Sequence, residues 1–206
     1  MVFSNLGMGV ALLVLAIFAA GSIKLMWGEY REHLSGRFKV DASEQIKSIK
    51  NMILATNFGE IEIELEANSP IGKENFLKLA LDGFYDGTRF HRLINDFLIQ
   101  GGDPLSRDET RKSEWGHGGP GYTFADEIDL NRKMTAGTVA FANSGPNTNG
   151  SQFFILTKDA DWLNGQHTVL GKVVRGMEVA ETISKISAGV TGVPNQDIIL
   201  RRITFK

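Results

Sequence analysis

Apolar and polar positions alternate along several short stretches of the chain, a pattern that predicts β-strands. In residues 61–66 isoleucine and leucine alternate with glutamate, so one face of that strand is expected to be buried and the other wet. Similar short apolar runs recur between turns rich in Gly and Asn. The predicted strands cover residues 52–56, 61–66, 88–93, 97–100, 137–142, 152–157, 169–174 and 197–205.

Two segments carry apolar residues at helical spacing instead. The first begins at Ser69-Pro70, with serine at the cap and proline in the first turn, and ends at Gly83. The second covers residues 177–186. Many short strands with only two helices predict a mainly β fold, a closed antiparallel barrel over residues 51–206.

The first 23 residues carry no charged side chain, and residues 6–23 contain no proline either. At about 1.5 Å per residue the run 6–23 spans roughly 27 Å, near the thickness of a bilayer's hydrocarbon core. Trp27 and Tyr30 follow, where an aromatic belt would lie. We therefore predict an uncleaved transmembrane anchor over residues 1–23, followed by a charged, mostly helical juxtamembrane stalk over residues 24–50. The alternatives are a buried core helix and a cleaved signal peptide, although the basic n-region of a signal peptide is missing.

Composition removes several classes of function. The chain of 206 residues has no cysteine, which excludes disulfides, thiol catalysis and thiolate metal sites. A formal charge of −2 gives no reason to expect a nucleic-acid partner. The four histidines show no metal-ligand spacing, so neither a metal nor a cofactor is expected. Residues 116–121 satisfy G-x-G-x-x-G, but a charged run precedes them and Pro120 stands where the helix should begin, which argues against dinucleotide binding.

Two runs carry the candidate chemistry: FHRLINDFLIQGGD at residues 90–103 and FANSGPNTNGSQFFI at residues 141–155. On a strand of period two, Arg92 shares a face with Ile94, and Leu98 shares a face with Gln100. An arginine and a glutamine beside apolar residues are unusual for a core. They suit a pocket with an apolar floor and a few directed donors.

Both runs, together with WLNGQHTVLG at residues 162–171, closely resemble the signature segments of cyclophilins, in the same order and spacing. The resemblance covers about residues 51–206. It implies an eight-stranded barrel capped by two helices, with peptidyl-prolyl cis/trans isomerase activity. Matched position by position, it implies catalytic roles for Arg92, Gln100 and Phe97, and substrate-binding roles for Leu98, Ala142, Asn143, Gln152, Phe154, Trp162, Leu163 and His167.

The chemistry of the reaction supports the assignment of Arg92. Rotation about an X-Pro amide crosses a barrier of about 18–20 kcal/mol, because resonance holds the C–N bond planar. A catalyst must favour the twisted amide, in which the proline nitrogen regains a lone pair. A guanidinium is a suitable donor, since it keeps its proton near neutral pH. Gln100 is expected to hold Arg92 and the substrate backbone, while the main chain of Asn143 pins the residue before the proline. The predicted apolar cup for the proline ring comprises Phe97, Leu98, Phe154 and Leu163, with His167 at its edge.

The expected partners are proline-containing segments of client proteins, and the membrane through the N-terminal helix. In the family, a tryptophan at the position of Trp162 goes with cyclosporin binding, so a cyclosporin-like ligand is expected as well. No nucleic-acid partner is expected, and the chain is expected to be a monomer. Leu98 stands where many relatives have Met, Ser144 replaces a common Ala, and the long charged loop 104–119 borders the pocket in the family. The alternative function is a non-catalytic proline-segment binding module or chaperone, which would not require Arg92.

The sequence gives conflicting evidence on which side of the membrane the catalytic domain lies. Basic residues lie only after the apolar run, and the positive-inside rule would place that side in the cytoplasm. Anchored and exported isomerases of this kind more often face outward. We therefore expect a single-pass N-terminal anchor with an extracytoplasmic catalytic domain, or a secreted protein if the anchor is cleaved.

Overall fold

The structure is a computed structural model, and it describes residues 48–206. The predicted anchor, and the predicted stalk as far as residue 47, lie outside the described residues. Between residues 48 and 206 there is no helix with the length and apolar character needed to span a membrane.

Nine strands in the described part of the chain form one sheet, which confirms the mainly β class. Across the sheet the order is β3-β9-β1-β2-β8-β6-β7-β5-β4, and every neighbouring pair is antiparallel. The strands are β1 (Asn51–Thr56), β2 (Glu60–Leu65), β3 (Thr88–Arg89), β4 (Arg92–Ile94), β5 (Leu98–Gly101), β6 (Thr138–Phe141), β7 (Phe153–Leu156), β8 (Val169–Arg175) and β9 (Ile199–Phe205).

The expectation of a closed eight-stranded barrel is wrong. The strand predicted at 88–93 is interrupted at Phe90 and His91, and its halves pair with different neighbours, β3 with β9 and β4 with β5. Within the described residues β3 and β4 are the two edges of a curled sheet and form no ladder with each other. The N–H of Phe90 donates to the carbonyl of Ile198, and that of Leu93 to the carbonyl of Gly192. Because these bonds hold the two halves against different parts of the chain, the gap between the edges is bridged by two residues of chain rather than by hydrogen bonds.

Two α-helices accompany the sheet in residues 51–206, as predicted: α1 (Pro70–Leu81) and α2 (Met177–Ser184). Proline opens α1 because its fixed φ suits the first helical turn and its missing N–H would have no partner there. Ser69 precedes it, but its hydroxyl donates to the carbonyl of Val169 rather than capping the helix. The predicted wet face of β2 also needs correction. Glu62 is only 8% exposed, and its carboxylate accepts hydrogen bonds from Lys206 and Asn51.

Alternate residues of the central strands enter two separate hydrophobic clusters. Phe153 and Ile155 of β7 belong to the main core, which also contains Phe76 of α1. Phe154 and Leu156, on the opposite face of the same strand, belong to a second, smaller cluster. Successive side chains on a strand point to opposite faces, so the sheet separates these clusters. The candidate site lies over the smaller cluster, whose buried members are Leu98, Met134, Ala140, Phe154, Leu156, Ala160 and Val169.

Candidate active site

The register of β4 and β5 brings the predicted polar residues together. Arg92 lies opposite Gln100, and Ile94 lies opposite Leu98. Directly opposed residues in an antiparallel pair point to the same face, so all four side chains share one surface, as the period-two pattern predicts. Arg92 is exposed, and its Nη1 donates a hydrogen bond to Oε1 of Gln100 over 3.1 Å. Gln100 in turn pairs in register with Phe154 on β7.

A cavity of about 400 Å³ opens on this surface. All the predicted site residues line it except Gln152 and Trp162. Two residues that were not predicted also line it, Ile94 and Gly116. Ile94 was already placed on the face of Arg92, whereas Gly116 has no side chain that a sequence pattern could have singled out. The complete lining is Arg92, Ile94, Phe97, Leu98, Gln100, Gly116, Ala142, Asn143, Phe154, Leu163 and His167.

The floor of the cavity is apolar and well packed. Leu98 and Phe154 are buried members of the smaller cluster, and Phe97 and Leu163 are half-buried against it. Trp162 lies outside the cavity and is 62% exposed. Its ring centroid is 5.4 Å from that of Phe97, so it extends the apolar rim beyond the cavity.

His167 forms an uncharged edge of the cavity. Its Nδ1 lies 3.0 Å from the carbonyl oxygen of Phe141, which can only accept, so Nδ1 is the donor. The imidazole meets the ring of Phe154 edge-on, with centroids 5.0 Å apart. Burial lowers the pKa of His167 below 6.5, and this outweighs the opposite effects of the bond to Phe141 and of Asp126. Near neutral pH the edge of the cup is therefore an uncharged ring.

Gln152 lies beside Gln100, outside this cavity but in the lining of a second cavity that adjoins it. Nε2 of Gln100 donates to Oε1 of Gln152 over 2.9 Å. Nε2 of Gln152 donates to the main-chain oxygens of Gly116 and Gly118, over 2.9 Å and 2.8 Å. Gln152 therefore connects Gln100 to a loop, and its predicted role in binding substrate stays a prediction.

The second cavity, of about 470 Å³, adjoins the first and shares Gln100, Gly116, Ala142 and Asn143 with it. Its lining also includes residues 116–119, so the end of the long loop 104–119 borders the site, as the resemblance implied. The charged part of that loop folds into two short 3₁₀ helices, Pro104–Arg107 and Glu109–Glu114, that line neither cavity. The two cavities together form a groove with an apolar cup at one end.

The groove offers polar contacts and an apolar cup rather than metal ligands. Across residues 48–206 no three His, Asp or Glu side chains are arranged to hold a metal ion. The one guanidinium at the cup, that of Arg92, is exposed and held from one side. This arrangement can donate a charged hydrogen bond to a group seated over an apolar floor.

A curled antiparallel sheet with two helices, carrying an arginine beside an apolar cup, defines the class of protein. Residues 51–205 match the family described as cyclophilin type peptidyl-prolyl cis-trans isomerase/CLD. The chain belongs to this family, and its activity is the isomerisation of peptidyl-prolyl bonds.

Two relatives and one solved structure support membership of this family. The chain is 44% identical over 157 residues to peptidyl-prolyl cis-trans isomerase CYP18-1 of Arabidopsis thaliana, covering 75% of this chain and 95% of that protein. It is 40% identical over 150 residues to peptidyl-prolyl cis-trans isomerase-like 1 of Homo sapiens, covering 72% of this chain and 87% of that one. Among solved structures, a cyclophilin type peptidyl-prolyl cis-trans isomerase from Cryptosporidium parvum superposes with a TM-score of 0.69 at 34% identity, covering 77% of this chain and 98% of that one.

Proposed function

We propose that this isomerase lowers the rotational barrier by directing the guanidinium of Arg92 at the nitrogen of a twisted proline amide. The proline ring of the client occupies the cup floored by Leu98 and Phe154. The observation that carries the proposal is the position of Arg92, exposed at the cavity and hydrogen bonded to Gln100 on one side.

The direction of the effect follows from charge. In the planar amide the nitrogen lone pair is delocalised, so it accepts little from a donor. In the twisted state the lone pair is localised and accepts a hydrogen bond from the cation. Arg92 therefore stabilises the transition state more than either ground state, which is the condition for a faster chemical step. A 10⁵-fold acceleration requires lowering the barrier by roughly 7 kcal/mol. Fixed donors and an apolar cup can supply energies of that order.

A related protein supports the kind of substrate. The cyclophilin type isomerase from Cryptosporidium parvum has also been solved in the presence of the dipeptide Ala-Pro, and that structure has a TM-score of 0.68 and 34% identity to this chain. We take proline-containing segments of client proteins as the substrate here. The chain acts as a monomer and takes a cyclosporin-like ligand at the rim formed by Phe97 and Trp162.

The test of the catalytic role is Arg92→Ala in the full-length chain. We expect kcat for an X-Pro peptide to fall about 10²- to 10³-fold, the usual cost of removing one transition-state donor. Binding of the peptide, measured separately, should persist because the cup is intact. Equal isomerisation rates in the variant and the wild type would contradict the assignment of Arg92.

For location, we propose a single-pass anchor formed by residues 1–23, with the catalytic domain outside the cytoplasm, where it assists the folding of proteins at or beyond the membrane. The support is the absence of charge from these 23 residues and their length. Secretion after cleavage is the alternative, and the mass of the mature protein distinguishes the two.

Since the chain has no cysteine, Ser43→Cys creates a unique label site in the stalk. An impermeant thiol reagent should label this variant in intact cells. Labelling that needs permeabilised cells would place the domain in the cytoplasm.

A further inference from the structure

We propose that Asp103, a buried carboxylate outside both cavities, is a positioning residue for Arg92. It acts through the main chain near the two ends of the loop 104–119, and then through Gln152 and Gln100. The inference rests on the proposed role of Arg92 and adds the groups that hold its guanidinium in place.

Asp103 ties the two ends of the loop together. It follows β5 and is completely buried. Its carboxylate accepts main-chain N–H bonds from Leu105, over 2.7 Å, from Gly116, and from Gly118, over 3.3 Å. Hydrogen bonds to a charged acceptor are stronger than those between neutral groups. One side chain therefore fixes the segment that carries the two acceptors of Gln152.

The fit around this carboxylate requires a glycine. A Cβ at position 118 would collide with Oδ1 of Asp103 and lie 2.8 Å from Cγ of Leu105. At the neighbouring Gly119 a Cβ would have no atom within 4 Å. The requirement at 118 is therefore a close approach to Asp103 and not a general property of the glycine-rich run.

The hydrogen bonds from the loop to Arg92 have a fixed polarity. The carbonyls of Gly116 and Gly118 can only accept, so Gln152 must present Nε2 to them and Oε1 to Gln100. Gln100 must then present Nε2 to Gln152, which leaves its Oε1 facing Nη1 of Arg92. The two ends of a glutamine amide have almost the same shape. The guanidinium of Arg92 can only donate, so it sets the same polarity from the other end. Without the loop carbonyls the amide of Gln152 could turn over, and Nε2 of Gln100 would then lose the acceptor that holds it in place.

The consequence is that the loop, through Gln152, holds the Gln100 amide in the place where its Oε1 meets Arg92. Displacing the loop removes the acceptors of Gln152, and the error is passed on to Gln100. The floor of the proline cup, Leu98 of β5 and Phe154 of β7, lies outside the loop and stays in place. Loss of Asp103 should therefore reduce the rate of the chemical step more than the binding of substrate.

The experiment uses the purified full-length chain and measures kcat and KM for an X-Pro peptide, together with thermal unfolding. Asp103→Asn keeps the shape but replaces one acceptor oxygen by a donor, and Gly118→Ala displaces the loop while leaving Asp103 in place. Ser113→Ala is the control, because Ser113 is exposed in the same loop and lines neither cavity. We expect kcat to fall about 10- to 100-fold in the first two variants, the scale of a misplaced catalytic group, with KM nearly unchanged. Ser113→Ala should keep the wild-type values.

Combining Gly118→Ala with Arg92→Ala distinguishes a loss of kcat that acts through Arg92 from a general loss of activity. If Gly118→Ala acts through Arg92, it should reduce kcat in the wild type but cause little further loss in the Arg92→Ala background. An equal fold-loss in both backgrounds would overturn the inference, as would wild-type kcat in Gly118→Ala. If Arg92→Ala itself kept full activity, the proposed function would be the part that fails.

Discussion

Arg92→Lys separates the charge of the side chain from its shape. The lysine keeps the positive charge but replaces a planar fork of five N–H donors by a single nitrogen. Arg92 uses Nη1 for the bond to Gln100 over 3.1 Å, which leaves other N–H groups of the guanidinium for the proline nitrogen. A lysine at this position would have to serve both acceptors from one point, so we expect it to lose one of them.

The size of the loss follows from that one bond. A hydrogen bond from a charged group contributes about 1.5–3 kcal/mol. Lost from the transition state, it lowers kcat about 10- to 160-fold, since each 1.36 kcal/mol is tenfold. The Arg92→Ala variant also loses the charge, so the expected order of kcat is wild type, then Lys, then Ala.

The assay is the initial rate of isomerisation of an X-Pro peptide at about 10 °C, where the uncatalysed reaction takes minutes. Because Arg92 is exposed, both variants should unfold within about 0.5 kcal/mol of the wild type, which separates activity from stability. A lysine variant with more than half of the wild-type kcat would refute the argument from shape, because charge alone would then suffice. A lysine variant no better than alanine would refute the argument from charge.

Three further predictions concern stability and ligand binding. Burial lowers the pKa of His91 and His167 below 6.5, so the neutral imidazoles stabilise the fold. The free energy of unfolding in urea should therefore be fully present above pH 6.5 and fall as the pH drops through the lowered pKa values, and a flat profile below pH 6.5 would contradict this. Phe153→Ala should cost about 3–5 kcal/mol of unfolding free energy, since the ring is fully buried against three other aromatic rings; a loss below about 1 kcal/mol would show that the cavity collapses. Trp162→Ala should change stability by no more than about 0.5 kcal/mol yet weaken inhibition by cyclosporin, and unchanged inhibition would argue against a role for this rim in binding.

The part of the site built on strands was predictable from the sequence. Period-two alternation is enough to place Arg92 and Ile94 on one face of β4, and Leu98 and Gln100 on one face of β5. The register of the two strands then brings both pairs to the same surface of the sheet. The start of α1 was predictable for a similar reason, because Pro70 is a local signal with a local cause.

The break in the sheet was not predictable, because its cause is tertiary. Phe90 and His91 are neither glycine nor proline, and nothing in their identity marks the end of a strand. The interruption follows from bonds to residues that are distant in the sequence, such as the one from Phe90 to Ile198. For the same reason Glu62 looked solvated, although Lys206 and Asn51 enclose it.

The loop behind the site was also hidden, because its contribution is made by main-chain atoms. Any residue carries a main-chain carbonyl, so the sequence does not single out those of Gly116 and Gly118 as acceptors. The run 116–121 matches only the pattern of a dinucleotide-binding loop, and its sequence context argues against that function. The structure gives Gly118 another reason to be glycine, its close approach to Asp103. The close approach of Gly118 to Asp103 depends on how the loop folds, so it cannot be predicted from a sequence pattern.

The strand order has a consequence for the time at which the domain acquires its structure. β1 lies between β2 and β9, so residues near 52 pair with residues near 205. At a synthesis rate of 5–20 residues per second, the partner of β1 is made roughly 8–30 s after β1 itself. During that interval one side of β1 is an unpaired edge, a template for association with other chains. An enzyme that accelerates the isomerisation of peptidyl-prolyl bonds therefore has a slow step in its own folding, set by the length of chain between its paired strands.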